Sequence, residues 1–231
     1  MRELAIFVQA RTGSRRCPNK MLRPFSGTTL IDICLEKLGR LADYYPIYFG
    51  AHEGELLDRA GAYPFLSVIK RSLTSAQSHT DPRVVFEMLE QVPEPYVCWI
   101  NPCHPFLEPD TVLQAIARFI ASDCRSMTSV VHRKGWFYDA EGRALTNRTV
   151  KVDTSESDGV YEVAHAFHVY ERERMLIDGK PWDNGPCDPL LHEIPLDEAW
   201  DIDTTEQFIM VEALYRSLRA GITSALVGQN Q

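Results

Sequence analysis

The sequence predicts an α/β protein: a mainly parallel sheet with helices on both faces, three layers in all. Two observations carry the prediction. From residue 4 to residue 131, short apolar runs of strand length alternate with longer stretches whose apolar residues recur at helical spacing. The first run is apolar throughout, the pattern of a strand covered on both faces. The 231 residues suffice for one sizeable core and are read as a single domain over 1–231. Hydrophobic content of 45% and charge content of 24% are ordinary for a globular chain.

LAIFV (4–8) is the first buried strand. TTLIDICLEKLGRLADY (28–44) sets Leu30, Ile31, Cys34, Leu35, Leu38 and Leu41 on one helical face, with Thr28 or Thr29 as N-cap. PIYFGA (46–51) is a strand, GELLDRAGAY (54–63) a short helix and LSVIKR (66–71) the third strand. PRVVFEMLEQV (82–92) is a helix whose Pro82 has the fixed φ suited to a first helical position. PYVCWI (95–100) is the fourth strand. EPDTVLQAIARFIAS (108–122) is amphipathic through Val112, Leu113, Ile116, Phe119 and Ile120, and SMTSVV (126–131) is the fifth strand. The rhythm breaks at His132. Turn signals DAEGR and SESDG flank a strand TVKVD, so 132–160 is read as an inserted hairpin or arm. YEVAHAFHVY (161–170) and LLHEIP (190–195) return to the sheet. A final helix over 204–221 takes Thr204 or Thr205 as cap, Glu206 in its first turn and Gly221 near its end.

Composition excludes several classes. The net charge of −8 argues against nonspecific nucleic-acid binding. No apolar run reaches the ~18 to 20 residues of a membrane span, and the apolar stretch at 4–8 is too short for a signal peptide, so a cytoplasmic protein is expected. Six cysteines at irregular spacing, without C-x-x-C, are expected as free thiols.

Against the acidic background, residues 8–23 gather Arg11, Arg15, Arg16, Lys20 and Arg23. Ligands of such sheets sit beyond the carboxyl ends of the strands, and this loop leaves the carboxyl end of the first one. Small residues (Ala10, Gly13, Ser14) let backbone N–H groups approach a ligand, while arginine forks and the Lys20 ammonium suit phosphate oxygens. The stretch matches neither the P-loop nor G-x-G-x-x-G. At the other end of the chain, Asp201 and Asp203 flank Ile202 at a strand-to-helix junction. Alternation points both carboxylates to one side, an arrangement that suits Mg²⁺ held together with substrate phosphates. Equally, Asp203 is placed to cap the last helix. His165 and His168, three apart on a strand, are expected on opposite faces, and no zinc set is found. Trp182 is read either as a lid over an acceptor or as core.

QARTGSRRCPNKML resembles the signature loop A-R-x-x-S-[KR]-x-x-P-x-K-N of the sugar-acid cytidylyltransferases. WDIDTTEQFIMVEALY resembles their closing D-I-D-T segment and helix, and VCWINPCHPFLEPDTVLQAI (97–116) their middle segment L-L-Q-P-T-S-P-L-R. The similarity runs thinly through most of the chain and is weakest over 132–190. The N-acylneuraminate type is the nearer branch, because the Kdo-activating branch carries an acidic GDEP where this chain reads INPCHP. The resemblance implies a Rossmann-like nucleotide-diphospho-sugar transferase fold and a CTP-dependent enzyme. A sugar acid's anomeric hydroxyl attacks the α-phosphorus of CTP, pyrophosphate leaves and a CMP-sugar forms for surface glycan synthesis. Carried over by position, Ala10, Arg11, Gly13, Ser14, Arg15 and Lys20 hold the triphosphate, and Arg71 lies near the cytidine. Asp201 and Asp203 bind Mg²⁺ and, with Lys20 and Arg11, form the catalytic set. Asn101, His104 and His165 are placed towards the acceptor. A homodimer formed through the 132–160 arm is also implied. From the residues themselves, Trp136, Phe137, Tyr138 and Val150 are apolar groups on that polar arm.

The acceptor half departs from the family. Its TSPLR is CHPFL here, so Cys103 and His104 replace Thr and Ser, and Leu107 replaces Arg. The acidic stretch after the third strand is LTSAQSHTD, with only Asp81 as a late candidate. The Asn-Gly of a later strand is replaced around Ala164 and His165. Two alternatives stay open: a Mg²⁺-dependent glycosyltransferase of related fold that uses D-x-D, and a non-catalytic relative that binds a nucleotide.

Overall fold

The structure is a computed structural model that describes residues 2–146 and 153–219. Its centre is a seven-stranded sheet. Leu4–Gln9 (β1) pairs in parallel with Ile47–Ala51 (β4) on one side and Tyr96–Ile100 (β6) on the other, and Leu66–Lys70 (β5) extends the β4 side. Beyond β6 lies Val160–Glu171 (β8), antiparallel to both β6 and Met127–Arg133 (β7), and Leu190–Glu193 (β9) closes the order β5-β4-β1-β6-β8-β7-β9. Pro24–Phe25 (β2) and Thr28–Thr29 (β3) form a separate two-stranded hairpin.

β1 shows why three layers form. Leu4, Ile6 and Val8 point into the larger core with the helices Leu30–Leu38 (α1) and Pro109–Ile120 (α5), whereas Ala5 and Phe7 join Ile69, Met88, Val97 and Tyr170 on the opposite face. Every residue of LAIFV is buried, so a strand without polar alternation is the solution the sequence demands. The chain turns from β1 to β4 on one side and later to β6 on the other. The crevice between the carboxyl ends of β1 and β6 is therefore the topological switch point.

Thr29 caps α1, its hydroxyl accepting from the Asp32 amide. The helix stops at Leu38, before the expected Tyr44, and turns follow Gly39. Gly54–Gly61 (α2) matches its expectation, and the last helix, Thr205–Arg219 (α7), begins after Thr204, whose hydroxyl accepts from the Gln207 amide. Two short helices were not expected: Leu73–Gln77 (α3) and Arg172–Asp178 (α6). The helix expected over 82–92 is instead a single turn at Pro82–Val85 (α4) followed by a 3₁₀ turn at Glu87–Gln91. The Val85 carbonyl accepts from Arg71 and from the Ser75 hydroxyl, so the backbone there serves a site rather than a continuing helix.

Three sequence expectations are corrected. Cys124 and Cys187 form a disulfide rather than free thiols. The parallel pairing of β9 with β7 carries residue 187 to the end of the α5–β7 connection, at a Cα separation of 5.3 Å. His165 and His168 are not on opposite faces. His165 adopts a left-handed φ of 55°, where the β7–β8 register shifts, and its Nδ1 lies 3.2 Å from His168 Nε2. Asp203 does not cap α7, because Thr204 does. In the arm, Tyr138 bridges Ala144 around the DAEGR turn. Most of the TVKVD strand, including Val150, and the Gly221 helix end lie outside the described residues. Among the described residues no helix is long and apolar enough to cross a membrane.

Candidate active site

The loop that leaves β1 is held in shape from within. Thr12 donates its amide (2.9 Å) and its hydroxyl (2.8 Å) to Glu53 Oε1, and the amides of Ser14 and Asn19 donate to the Thr12 carbonyl. Burial pushes the Glu53 carboxyl up, but hydrogen bonds from Thr12 together with those from the backbone of Glu53 and His52 hold it below its ordinary value. The loop rims a cavity of about 520 Å³ at the switch point, within the usual range for a small-molecule site.

Of the expected site residues, Ala10, Arg11, Ser14, Arg15, Lys20, Arg71, Asn101 and Asp203 line this cavity. Gly13, Asp201, His104 and His165 do not. Arg16, Gln9, Trp99 and Cys103 line it without having been assigned to it, as do Ser78 and His79. Arg16 stood in plain view in the basic loop. Ser78 and His79 follow α3, and no periodic signal marks them.

Five cations therefore face one cavity: Arg11, Arg15, Arg16, Lys20 and Arg71. Arg71 is 3% exposed and is clamped by the Ser75 hydroxyl and carbonyl. Arg11 donates to the carbonyls of Ser78 (3.0 Å) and Ala76 (3.4 Å), tying the first loop to the end of α3. Burial and then the nearby Arg15 hold Arg11 below its ordinary pKa, and burial and then Arg11 do the same to Arg71. Like charges are thus held together and partly dehydrated, an arrangement that an anion relieves.

Lys20 spans the two ends of the chain. Its ammonium donates to the Ile202 carbonyl (2.5 Å) and lies 3.5 Å from Asp203 Oδ1, while Arg16 pairs with Asp203 Oδ2 at 2.9 Å. Burial lowers the Lys20 pKa, but the Cys103 thiol, Asp201 and Asp203 raise it further, so its charge is secure. The backbone completes the junction. The Ile202 amide donates to the Cys103 carbonyl (3.2 Å), the Cys103 amide to Asn101 Oδ1 (3.1 Å) and the Asn101 amide to the Ala166 carbonyl (2.9 Å).

Asp201 sits behind this rim. Burial, followed by repulsion from Asp203, pushes its carboxyl up to about 6. Its Oδ1 is buried without a hydrogen-bond partner, and so is His104 Nδ1, 3.9 Å away. A buried carboxylate oxygen without a donor, beside a second carboxylate, fits a divalent cation, and Asp201 and Asp203 are the residues that would hold it. Among the described residues no three His, Cys, Asp or Glu groups are arranged to hold a metal ion by themselves.

His104 is fully enclosed, with Nε2 3.0 Å from the Ala164 carbonyl, so its side chain faces Asp201 rather than the main cavity. His168 stacks on Trp99, takes Thr128 Oγ1 at Nδ1 (2.8 Å) and is covered edge-on by Trp182. Asp81 accepts from the Arg83 amide and guanidinium at the start of α4 and does not line the cavity.

The cytidylyltransferase family model matches residues 5–209 of this chain. A search of curated proteins returns no match. Among solved structures the chain is similar to CMP:2-keto-3-deoxy-manno-octonic acid synthetase complexed with CTP. The identity is 14% and the TM-score 0.66, over 92% of this chain and 98% of that one. It is also similar to 4-diphosphocytidyl-2C-methyl-D-erythritol synthase from Anaerococcus prevotii, at 12% identity and a TM-score of 0.64, over 93% and 99%. At these identities the likeness is one of fold.

Proposed function

We propose a specific reaction from the premise that this chain belongs to the cytidylyltransferase family, and so is a nucleotidyltransferase that takes CMP from CTP: its acceptor is an acidic sugar of the nonulosonic-acid kind, of use in surface glycan synthesis. The observation that carries the acidic acceptor is the charge of the cavity. Five cations and one carboxylate, Asp203, line it, a net of +4. A triphosphate brings about four negative charges, a divalent cation returns two and Asp201, which would hold it, removes one, so about one positive charge remains for the acceptor, enough for one carboxylate.

In this reading Arg11, Arg15 and Lys20 hold the triphosphate and Arg71 reaches the nucleoside end, whereas the amides of Ala10, Thr12 and Ser14 are already given to the Gly50 carbonyl, Glu53 and the Thr12 carbonyl. Asp201 and Asp203 hold Mg²⁺, which supplies charge neutralisation at the phosphate oxygens when bound. The acceptor oxygen forms a bond to the α-phosphorus as the bond to pyrophosphate breaks, and the hydroxyl proton leaves to solvent. Lys20 and Arg16 stand where negative charge gathers on the leaving pyrophosphate. Such transfers ask of the protein chiefly position and electrostatics. Asn101 and the Trp99 face of the cavity border the acceptor, with His165 and His104 behind them. The arm exposes Trp136, Tyr138 and Leu145, which we assign to a homodimer contact; sedimentation velocity showing only monomer at all concentrations removes that part.

The test is pyrophosphate release with Mg²⁺, crossing CTP, UTP, GTP and ATP with sugar acids, neutral sugars and sugar phosphates. Release with CTP and a sugar acid is expected. Release only with a neutral or a phosphorylated acceptor overturns the acceptor class, and no pyrophosphate from any triphosphate together with release of a nucleoside diphosphate from added nucleotide sugars marks glycosyl transfer instead.

A further inference from the structure

We propose that the Cys124–Cys187 disulfide is a reversible redox latch: when a dithiol reduces it, the loop over 179–189 is released from the cavity wall beside the acceptor, and acceptor binding weakens. The effect on the acceptor rests on the reading that Trp99 borders that substrate, whereas the latch itself does not.

The loop joins α6 to β9. Cys187 holds a left-handed φ of 57° in it, a conformation that a cysteine seldom adopts unless its surroundings impose it. Two holds are present. One is ionic: Arg174 pairs with Asp183 and, at 3.1 Å, with Asp188, which also accepts from the Ser126 hydroxyl and, at 2.9 Å, from the Asp183 amide. The other is covalent, from Cys187 to Cys124 in the α5–β7 connection. Trp182 is the ring that this loop lays against the core. It meets His168 edge-on at 5.2 Å, and His168 stacks on Trp99 at 5.4 Å and 12°. Trp99 lines the cavity, so three rings in a row connect the loop to the cavity wall. Arg11, Arg16, Lys20 and Arg71 take their partners elsewhere, from Ser78, Asp203 and Ser75.

The bridge is placed for exchange. Cys124 is 4% exposed, whereas Cys187 stands in an exposed run over 183–187. One thiol of the dithiol, as thiolate, attacks the Cys187 sulfur. The S–S electron pair leaves with Cys124, which takes up a proton. The second thiol, again as thiolate, then attacks the mixed disulfide, Cys187 leaves and is protonated, and the reductant departs as a disulfide. Two protein thiols are gained for the two that the reductant loses. With the covalent hold gone, the loop rests chiefly on Arg174. The Asp183 side of that ion pair is 57% exposed, so water competes for it. Cys187 is then free to leave its left-handed φ, and Trp182 is held less firmly over His168. His168 keeps Thr128 Oγ1 at 2.8 Å but loses its cover, and Trp99 loses a fixed backing.

The experiment equilibrates the full folded chain with dithiothreitol or with its oxidised form. It counts thiols by mass after quenching and alkylation, and it follows chymotryptic cleavage after Trp182. Reduction is expected to raise the count from four thiols to six with the circular dichroism unchanged. Cleavage after Trp182 is expected to be at least ~10-fold faster in the reduced form, and equally fast in Cys187→Ser under either condition. With a sugar acid as acceptor, reduction should raise the acceptor KM about 5-fold, leave KM for CTP within about twofold, and be reversed by reoxidation. Six thiols persisting in oxidant, a bridge persisting in dithiothreitol, or unchanged cleavage on reduction overturns the latch, and none of these outcomes needs a variant to fold. Faster cleavage with an unchanged acceptor KM overturns the link to the cavity. No pyrophosphate release in any combination overturns the proposed reaction instead, while thiol count and cleavage still decide the latch.

Discussion

Asp201→Asn tests the charge placed behind the cavity rim. The native carboxyl is pushed from an ordinary 3.8 to about 6, by burial first and by Asp203 second. That difference corresponds to a ceiling of about 3 kcal/mol against folding when the group is ionised in both states. The side chain is 27% exposed, so water screens part of the cost and about 1–2 kcal/mol is a fair expectation. An asparagine amide removes the charge and supplies a donor for His104 Nδ1. For a chain of this size the gain is roughly 3–6 °C in Tm.

The pH dependence has a definite sign. Because the native pKa is raised, the proton-linked stability is complete below about 4, is lost as pH rises through about 6 and is absent at pH 7.5. The variant should therefore exceed the wild type most at pH 7.5 and match it near pH 4. The assay is thermal unfolding in chelator across that range, paired with pyrophosphate release in Mg²⁺, which the substitution should nearly abolish. A variant no more stable than the wild type at pH 7.5, or one with the same advantage at pH 4, would refute the reasoning.

Lys20→Ala removes a charge aimed at the leaving pyrophosphate and should slow pyrophosphate release by about 10²–10³-fold; turnover within threefold of wild type counts against its place in the site. Glu53→Ala unlatches Thr12 from the far side of the loop and should raise KM for CTP about 10-fold with kcat less affected, read by steady-state kinetics; an unchanged KM removes the latch. Because the Glu53 pKa is lowered, the latch is complete above its ordinary value of 4.5 and lost as pH falls below it, so the variant's difference in Tm should shrink in acid. Gly50→Ala places a Cβ 2.3 Å from Met88 Sδ inside the smaller core and should cost about 1–3 kcal/mol in urea unfolding; no change would mean that the thioether swings clear.

The layers, the five strands of the main sheet up to β7 and the basic loop were legible because each rests on local pattern, whereas the order of the strands and the β2–β3 hairpin were not. A strand that is apolar throughout, such as LAIFV, has to be buried on both faces, and five cations within residues 11–23 stand out against a chain of net charge −8. The Asp201-x-Asp203 pair was legible as a cation candidate, but its division of labour was not. Asp203 turns to Arg16 and Lys20, while Asp201 turns to His104, because contacts distant in sequence, 183 residues apart for Lys20 and Asp203, decide where each carboxylate points. The helix expected over 82–92 breaks for a similar reason: the carbonyl of Val85 is taken by Arg71 and Ser75.

By itself, then, the sequence determined an α/β sheet, a cationic loop at the end of its first strand and paired carboxylates at the far end of the chain. Only the tertiary structure decided that His165 turns to meet His168, that Cys124 meets Cys187, and that His104 faces Asp201 with nothing bonded between them. Periodicity reports which side of an element is apolar. It carries no information about a left-handed residue that breaks alternation, or about which distant loop the fold lays against a given side chain.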